Sequence, residues 1–155
     1  MAFGTLSVKG RALRYLAQRE HSRAELERKL ARHVQDVEDA SAAQQISAAL
    51  DELQACGLLS EARAAESVLA GLGQRYGVRK LKQTLQARGL APELVARTLQ
   101  QAGETELERA RIIWQRKFGT PATDGAERAR QMRFLAGRGF TGDVVARVVR
   151  GGEDD

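Results

Sequence analysis

Few side chains in this chain could do acid–base, nucleophilic or metal chemistry. His21 and His33 are the only histidines, and Cys56 is the only cysteine. Both histidines are expected to face solvent, His21 in a turn and His33 near a helix end, and neither falls in a Cys/His zinc spacing. Cys56 follows Leu53 on an apolar helical stripe and is expected to be a small buried residue, not a nucleophile. The G-x-S-x-G pattern of a hydrolase elbow is absent. Gly71-x-Gly73-x-x-x-Gly77 approaches a nucleotide loop, yet it lacks the Rossmann spacing, the lysine of a P-loop and a preceding strand. Its expected job is to end one helix and start the next. The sequence points away from an enzyme and calls for no cofactor and no metal.

What the chain does carry is patterned positive charge. From Ser67 to Pro92 there is no acid, while Arg75, Arg79, Lys80, Lys82 and Arg88 are basic. On a helix, Val78, Leu81 and Leu85 form an apolar stripe roughly 60° wide, and Arg79, Lys80 and Lys82 project from the remaining circumference. A surface selected only for solubility would mix signs. The last third adds Lys117, Arg130 and Arg138, interrupted only by Asp124, Glu127 and Asp143 in the stretch from Arg116 to Arg147. These eight cations are the candidate contacts to DNA or an acidic protein surface. The competing reading is that arginine is simply a good helix former on exposed faces. The first third is more balanced, and Asp36, Glu38 and Asp39 argue against a phosphate partner there. Aromatic residues make up 5% and are scattered, so no base-stacking platform is expected. Trp114 and Phe118 are expected to anchor a core, and Tyr76 either stacks on a base or guanidinium or lies under the glycine turn.

Helices must position these cations. Ser22-Arg-Ala-Glu25 and Ser41-Ala-Ala-Gln44 read as capping boxes, and Thr105-Glu-Leu-Glu108 as a third. Ser60, Asp124 and Thr141 are further helix starts, and Pro92 suits a first helical position. Gly57 and Gly103 are expected to stop helices, and Gly89 to make a turn. No segment alternates with period two for long enough to form a strand. The pattern also repeats. Arg88-Gly89-Leu90 and Leu94-Val95-Ala96-Arg97 recur as Arg138-Gly139-Phe140 and Val144-Val145-Ala146-Arg147, while Ser22, Leu26 and Leu30 foreshadow Gly77, Leu81 and Leu85. Lys80 and Arg130 are repeat equivalents, as are Arg88 and Arg138. The expected fold is all-α, with three tandem three-helix units forming an elongated, curved array. The expected boundaries are 1–57 with an N-terminal arm, 58–103, 104–151, and a frayed acidic tail at 152–155.

The chain has 155 residues, 43% of them apolar, which is enough for a folded core. A net charge of +5 favours a polyanion or acidic partner. One cysteine permits no intramolecular disulfide and fits a reducing compartment. The N-terminus lacks the apolar core of a signal peptide, and no run approaches the roughly 18 apolar residues that span a bilayer. A soluble, cytoplasmic monomer without membrane contact is expected.

Three landmarks together resemble the RecX family, bacterial regulators of the RecA recombinase. The first is Ala12-Leu-Arg-Tyr-Leu16 followed by Ser22-Arg-Ala-Glu-Leu26 and Lys29-Leu30. The second runs from Leu50-Asp-Glu-Leu53 and Gly57-Leu58-Leu59 through Arg75-x-Gly77 to Arg88-Gly89-Leu90. The third is Lys117-Phe118-Gly119 with Arg133-Phe134-Leu135 and Arg138-Gly139-Phe140. The resemblance spans about Gly10 to Arg150. Two departures stand out: Ser60-Glu61 and Ala64-Ala65 replace the usual acids and aromatic, and Gln131 replaces a core leucine. The resemblance implies a non-enzymatic protein bound in the groove of the RecA–single-stranded DNA filament, limiting ATPase, strand-exchange and co-protease activities in recombination and the SOS response. Its implied partners are RecA and single-stranded DNA, with double-stranded DNA a further one.

The alternative is a helix-turn-helix-like DNA-binding protein acting without RecA. Such a protein reads bases from one recognition helix and usually dimerises. This chain spreads its cations over several units, has no asparagine and shows no dimer seam.

Overall fold

Each apolar stripe in the sequence becomes the buried face of a helix. The computed structural model describes residues 6–151; the start of the expected N-terminal arm and the acidic tail lie outside the described residues. Among the described residues there are nine helices: α1 (Val8–Gln18), α2 (Arg23–Ala31), α3 (Ala42–Ala55), α4 (Glu61–Leu72), α5 (Val78–Ala87), α6 (Pro92–Glu104), α7 (Glu106–Lys117), α8 (Gly125–Gly137) and α9 (Gly142–Gly151). The only pairing of extended backbone among them is an isolated bridge between Val37 and Ala40. The fold is all-α. No described helix is long and apolar enough to cross a membrane.

Helix starts follow the cap chemistry. Ser22 and Ser41 both accept from the N3 backbone while Glu25 and Gln44 reach back to the cap, so both boxes form. Such a cap contributes about 1 kcal/mol. Asp124 accepts from Glu127 N–H, and Ser60 from Arg63 N–H. Thr105 departs from the expected box. Because α6 runs to Glu104 and α7 begins at Glu106, the threonine has no room for a cap. Its hydroxyl donates to Ala102 O and accepts from Arg109 Nε instead. For the same reason Gly103 lies within α6 rather than ending it. Gly57, by contrast, takes a left-handed φ of 78° and closes α3. That turn leaves Cys56, expected in the core, exposed at the C-cap: the buried stripe of Ile46, Leu50 and Leu53 ends three residues before it.

The chain divides into two compact units. Unit 1 runs through Ser67 and takes in Ala87–Ala91; unit 2 holds Val68–Gln86 and the chain from Pro92 onward. In unit 1, α1, α2 and α3 enclose Ala12, Leu26, Leu30, Ile46, Leu50, Leu53 and Leu59. In unit 2, α7, α8 and α9 enclose Ile113, Trp114, Leu135, Phe140, Val145, Val148 and Val149. Each fully buried large apolar side chain contributes about 1.5–3 kcal/mol of transfer free energy.

The same joint occurs once inside each unit. In unit 1 the turn after α5 meets the start of α2, where Ser22 Oγ donates to Arg88 O. In unit 2 the turn after α8 meets the start of α5, where Gly77 N–H donates to Arg138 O (2.8 Å) and Arg79 N–H to Gly139 O (2.9 Å). Free carbonyls at one helix end thus meet free N–H groups, and a positive dipole end, at another. Gly77 offers no cap side chain, so the incoming carbonyls do for α5 what Ser22 does for α2. Gly89 and Gly139 turn the chain with φ of 72° and 87°.

Candidate nucleic-acid interface

The joint in unit 2 gathers cations and aromatic rings that the sequence separates. Docking the α8 turn on the start of α5 sets the Arg138 guanidinium between two rings, 5.6 Å from the Tyr76 centroid and 5.3 Å from that of Phe134. Lys80 Nζ lies 5.5 Å from the same Tyr76 ring. Lys117, at the end of α7, brings its ammonium 5.4 Å from Phe134. Phe134 meets Phe118 edge-on, with centroids 5.5 Å apart and planes at 89°. Arg130 caps the series, 5.3 Å from Phe118. The result is a ladder in order Lys80, Tyr76, Arg138, Phe134, then Lys117 and Phe118, then Arg130. Each cation–ring contact is worth about 0.5–1 kcal/mol where water still reaches it.

Tyr76 is held from behind. Arg109 on α7 donates to Tyr76 O (2.7 Å) and Gly73 O (2.6 Å) through Nη1, and to Ala102 O (2.7 Å) through Nη2. Burial pushes the pKa of this guanidinium below its ordinary value, with Glu106 opposing. Three carbonyls fix its plane, and so fix the short segment between α4 and α5 that carries Tyr76.

The charge of the ladder is largely uncompensated. Arg130 pairs with Glu127 at 3.3 Å on an exposed face. Lys80, Lys117 and Arg138 have no carboxylate partner among the described residues. Rings half-buried on one side and paired with free cations suit single-stranded nucleic acid, whose bases stack on rings and guanidinium planes while phosphates meet cations.

Of the eight cations singled out in the sequence, the structure brings Lys80, Lys117, Arg130 and Arg138 together. Arg88 belongs to unit 1. Arg75, Arg79 and Lys82 are exposed and take no part in the ladder. The aromatic residues are not scattered as expected: Tyr76, Phe118 and Phe134 are assembled by the joint and by α7 against α8. A signal for this was present, since Tyr76 and Lys80, and Phe134 and Arg138, are four residues apart. Arg109 carried no such signal. His21 also differs from expectation, because it is fully buried.

Comparison with known proteins agrees with this architecture. A family model of the first RecX three-helix domain matches residues 9–53, and one of the third RecX three-helix domain matches residues 104–149. A "Regulatory protein RecX" from Leptothrix cholodnii is 51% identical over 94% of this chain and 88% of its own. The chain belongs to the RecX family. Another relative of that name, from Ralstonia nicotianae, is 43% identical over 96% of this chain and 89% of its own. A crystal structure of RecX from Lactobacillus salivarius shares the fold, with a TM-score of 0.76 at 18% identity and 96% of both chains covered.

Gln131, which the resemblance in sequence marked as a departure, lies in the core. It is 1% exposed, accepts from Trp114 Nε1 (2.9 Å) and donates to Thr120 O (3.1 Å). The helix is not rotated to expose it. A polar side chain takes the core position because the indole N–H beside it needs an acceptor. Ala64 and Ala65 likewise stay in the core, at 0% and 1% exposure.

Proposed function

We infer that this chain is a non-enzymatic regulator that binds the RecA–single-stranded DNA filament and lowers its ATPase, strand-exchange and co-protease activities. Membership of a family of regulatory proteins supports the reading, and the observation that carries it at the residue level is the cation–aromatic ladder. The ladder suits a single strand, whose bases can stack on rings while its phosphates meet cations. Regulation follows from differential binding: whichever filament state this protein fits better gains population. The three-helix organisation with boundaries near residues 57 and 103, the monomeric state, the cytoplasmic setting and secondary binding of double-stranded DNA belong to the same proposal. So do the further contacts from Arg75, Arg79, Lys82 and Arg88.

The test is ATP hydrolysis by the cognate recombinase on single-stranded DNA, titrated with wild-type protein and with a Lys80→Glu/Lys117→Glu/Arg138→Gln variant. Inhibition below one regulator per recombinase monomer, weakened at least about tenfold in the variant, is the expected result. No inhibition by folded wild-type protein, with tight binding to duplex DNA, would instead favour a DNA-binding protein acting without RecA.

A further inference from the structure

Unit 1 contains a second cluster of charge, centred on the buried His21. His21 Nδ1 lies 2.9 Å from Arg19 O, and a carbonyl only accepts, so this nitrogen carries the proton. Nε2 is then a bare acceptor, and Lys29 Nζ donates to it at 2.8 Å. The same ammonium sits 4.9 Å from the Tyr15 ring, which in turn meets the imidazole at 5.8 Å. Lys29 is therefore fixed in place by two neutral groups.

The one carboxylate in the cluster is already engaged. Glu25 accepts from Arg19 Nη2 through Oε2 (2.6 Å) and from Ser22 N–H through Oε1 (3.1 Å). Arg88, brought in by the joint with Ser22, is only partly exposed and has no carboxylate partner among the described residues. Arg19 and Glu25 lie near enough to perturb it, and burial and Arg19 both lower its pKa. Lys29 shows the same pattern, lowered first by burial and next by Arg19. Three cations thus face one committed carboxylate, with the imidazole neutral. The acids that seemed to make this part of the chain unsuited to phosphate lie in the loop after α2, where Asp36 caps Ala42 N–H at 2.6 Å.

We propose that Lys29, Arg88 and the outer face of Arg19 form a seat for a phosphate group, separate from the ladder and built on His21. A phosphate supplies the anionic acceptor oxygens that Lys29 and Arg88, neither of them facing a carboxylate of its own, lack, and charge-assisted bonds of this kind are the strong ones. Two sources fit the chemistry: the phosphodiester backbone of a single strand, or a free polyphosphate. The seat goes beyond the filament-binding reading and needs no recombinase to be observed.

His21 reports on occupancy. Burial, then the facing charges of Arg19 and Lys29, lower its pKa, against the bond to Arg19 O and the charge of Glu25; Tyr15 completes the ring's titratable contacts. A phosphate drawing Lys29 outward would free Nε2 and raise the pKa of the ring. The experiment follows the imidazole C–H resonances of the full chain by NMR, with the exposed His33 as internal control. One arm adds tripolyphosphate and the other a base-free deoxyribose-phosphate strand.

A saturable shift confined to His21, weakened about tenfold in a folded Arg88→Gln variant and in Lys29→Gln, is the expected outcome. Saturation in either arm supports the seat, and the arm saturating at lower concentration names its source. Equal, unsaturable drift at both histidines, or a His21 response untouched by Arg88→Gln, would overturn the seat. Neither result bears on recombinase inhibition, so the two readings fail separately.

Discussion

At the scale of single residues, His21 and Gln131 are polar groups whose burial is matched by specific partners. For His21, burial is the largest cause lowering its pKa. The unfolded ring, ordinary at about 6.5, then binds more protons than the native one as pH falls below that value. Stability contributed by the neutral ring is complete above about pH 6.5 and is lost as pH falls toward the depressed native pKa. Urea titrations between pH 7.5 and 5.5 should show stability dropping by up to about 1.4 kcal/mol per pH unit from this site. His21→Gln should flatten that slope. Glu25, held below the ordinary carboxyl range by Arg19 and Ser22 N–H despite the opposing effect of burial, adds its own loss only below about pH 4.5.

Gln131 tests a paired buried hydrogen bond. Gln131→Leu removes the acceptor and orphans Trp114 Nε1–H, at a cost of about 1–3 kcal/mol. Adding Trp114→Phe removes the orphan. A double-mutant cycle by urea denaturation should return a coupling of at least about 1 kcal/mol. Additive single-site effects would mean that the bond contributes little.

Among helices, the repeated joint decides the geometry, and glycine decides the joint. A methyl group on Gly139 would lie 2.7 Å from Lys80 N and 2.6 Å from Lys80 Cβ, at a φ of 87°. One on Gly77 would lie 2.5 Å from Phe140 N. Gly137, two residues earlier than Gly139 and still inside α8, has nothing within 4 Å of that position. Opposite signs should follow. Gly139→Ala should lower stability by about 1–3 kcal/mol and release Arg138 from the ladder. Gly137→Ala should raise stability by about 0.5–1 kcal/mol. Thermal melts with tryptophan fluorescence check both, since Trp114 reports on unit 2.

At the scale of the molecule, a net charge of +5 makes binding to any polyanion sensitive to salt. The proposed contact has a measurable slope. Four ladder cations on single-strand phosphates give log K against log salt a slope of about −3, at about −0.7 per phosphate. Lys117→Gln should bring it to about −2 with little change between sequences. A slope unchanged by Lys117→Gln would place the strand elsewhere on the protein.

Local chemistry settled much of this in the sequence alone. Helix starts at Ser22, Ser41 and Asp124, the left-handed turns at Gly57 and Gly89, and the acid-free basic stretch are all written within one or two helical turns. The family landmarks were legible too, because their order survives along the chain. Tertiary structure decided what joins across distance. Ser22 and Arg88 are 66 residues apart, and Gly77 and Arg138 are 61 apart. No periodicity states that one carbonyl will meet the other's helix start. Packing in unit 1 buries His21, which its place in a turn suggested was exposed, and the joint in unit 2 turns separate aromatic residues into a ladder. Helical patterns report which side of a residue is apolar; the groups that will stand opposite are chosen only when the helices dock.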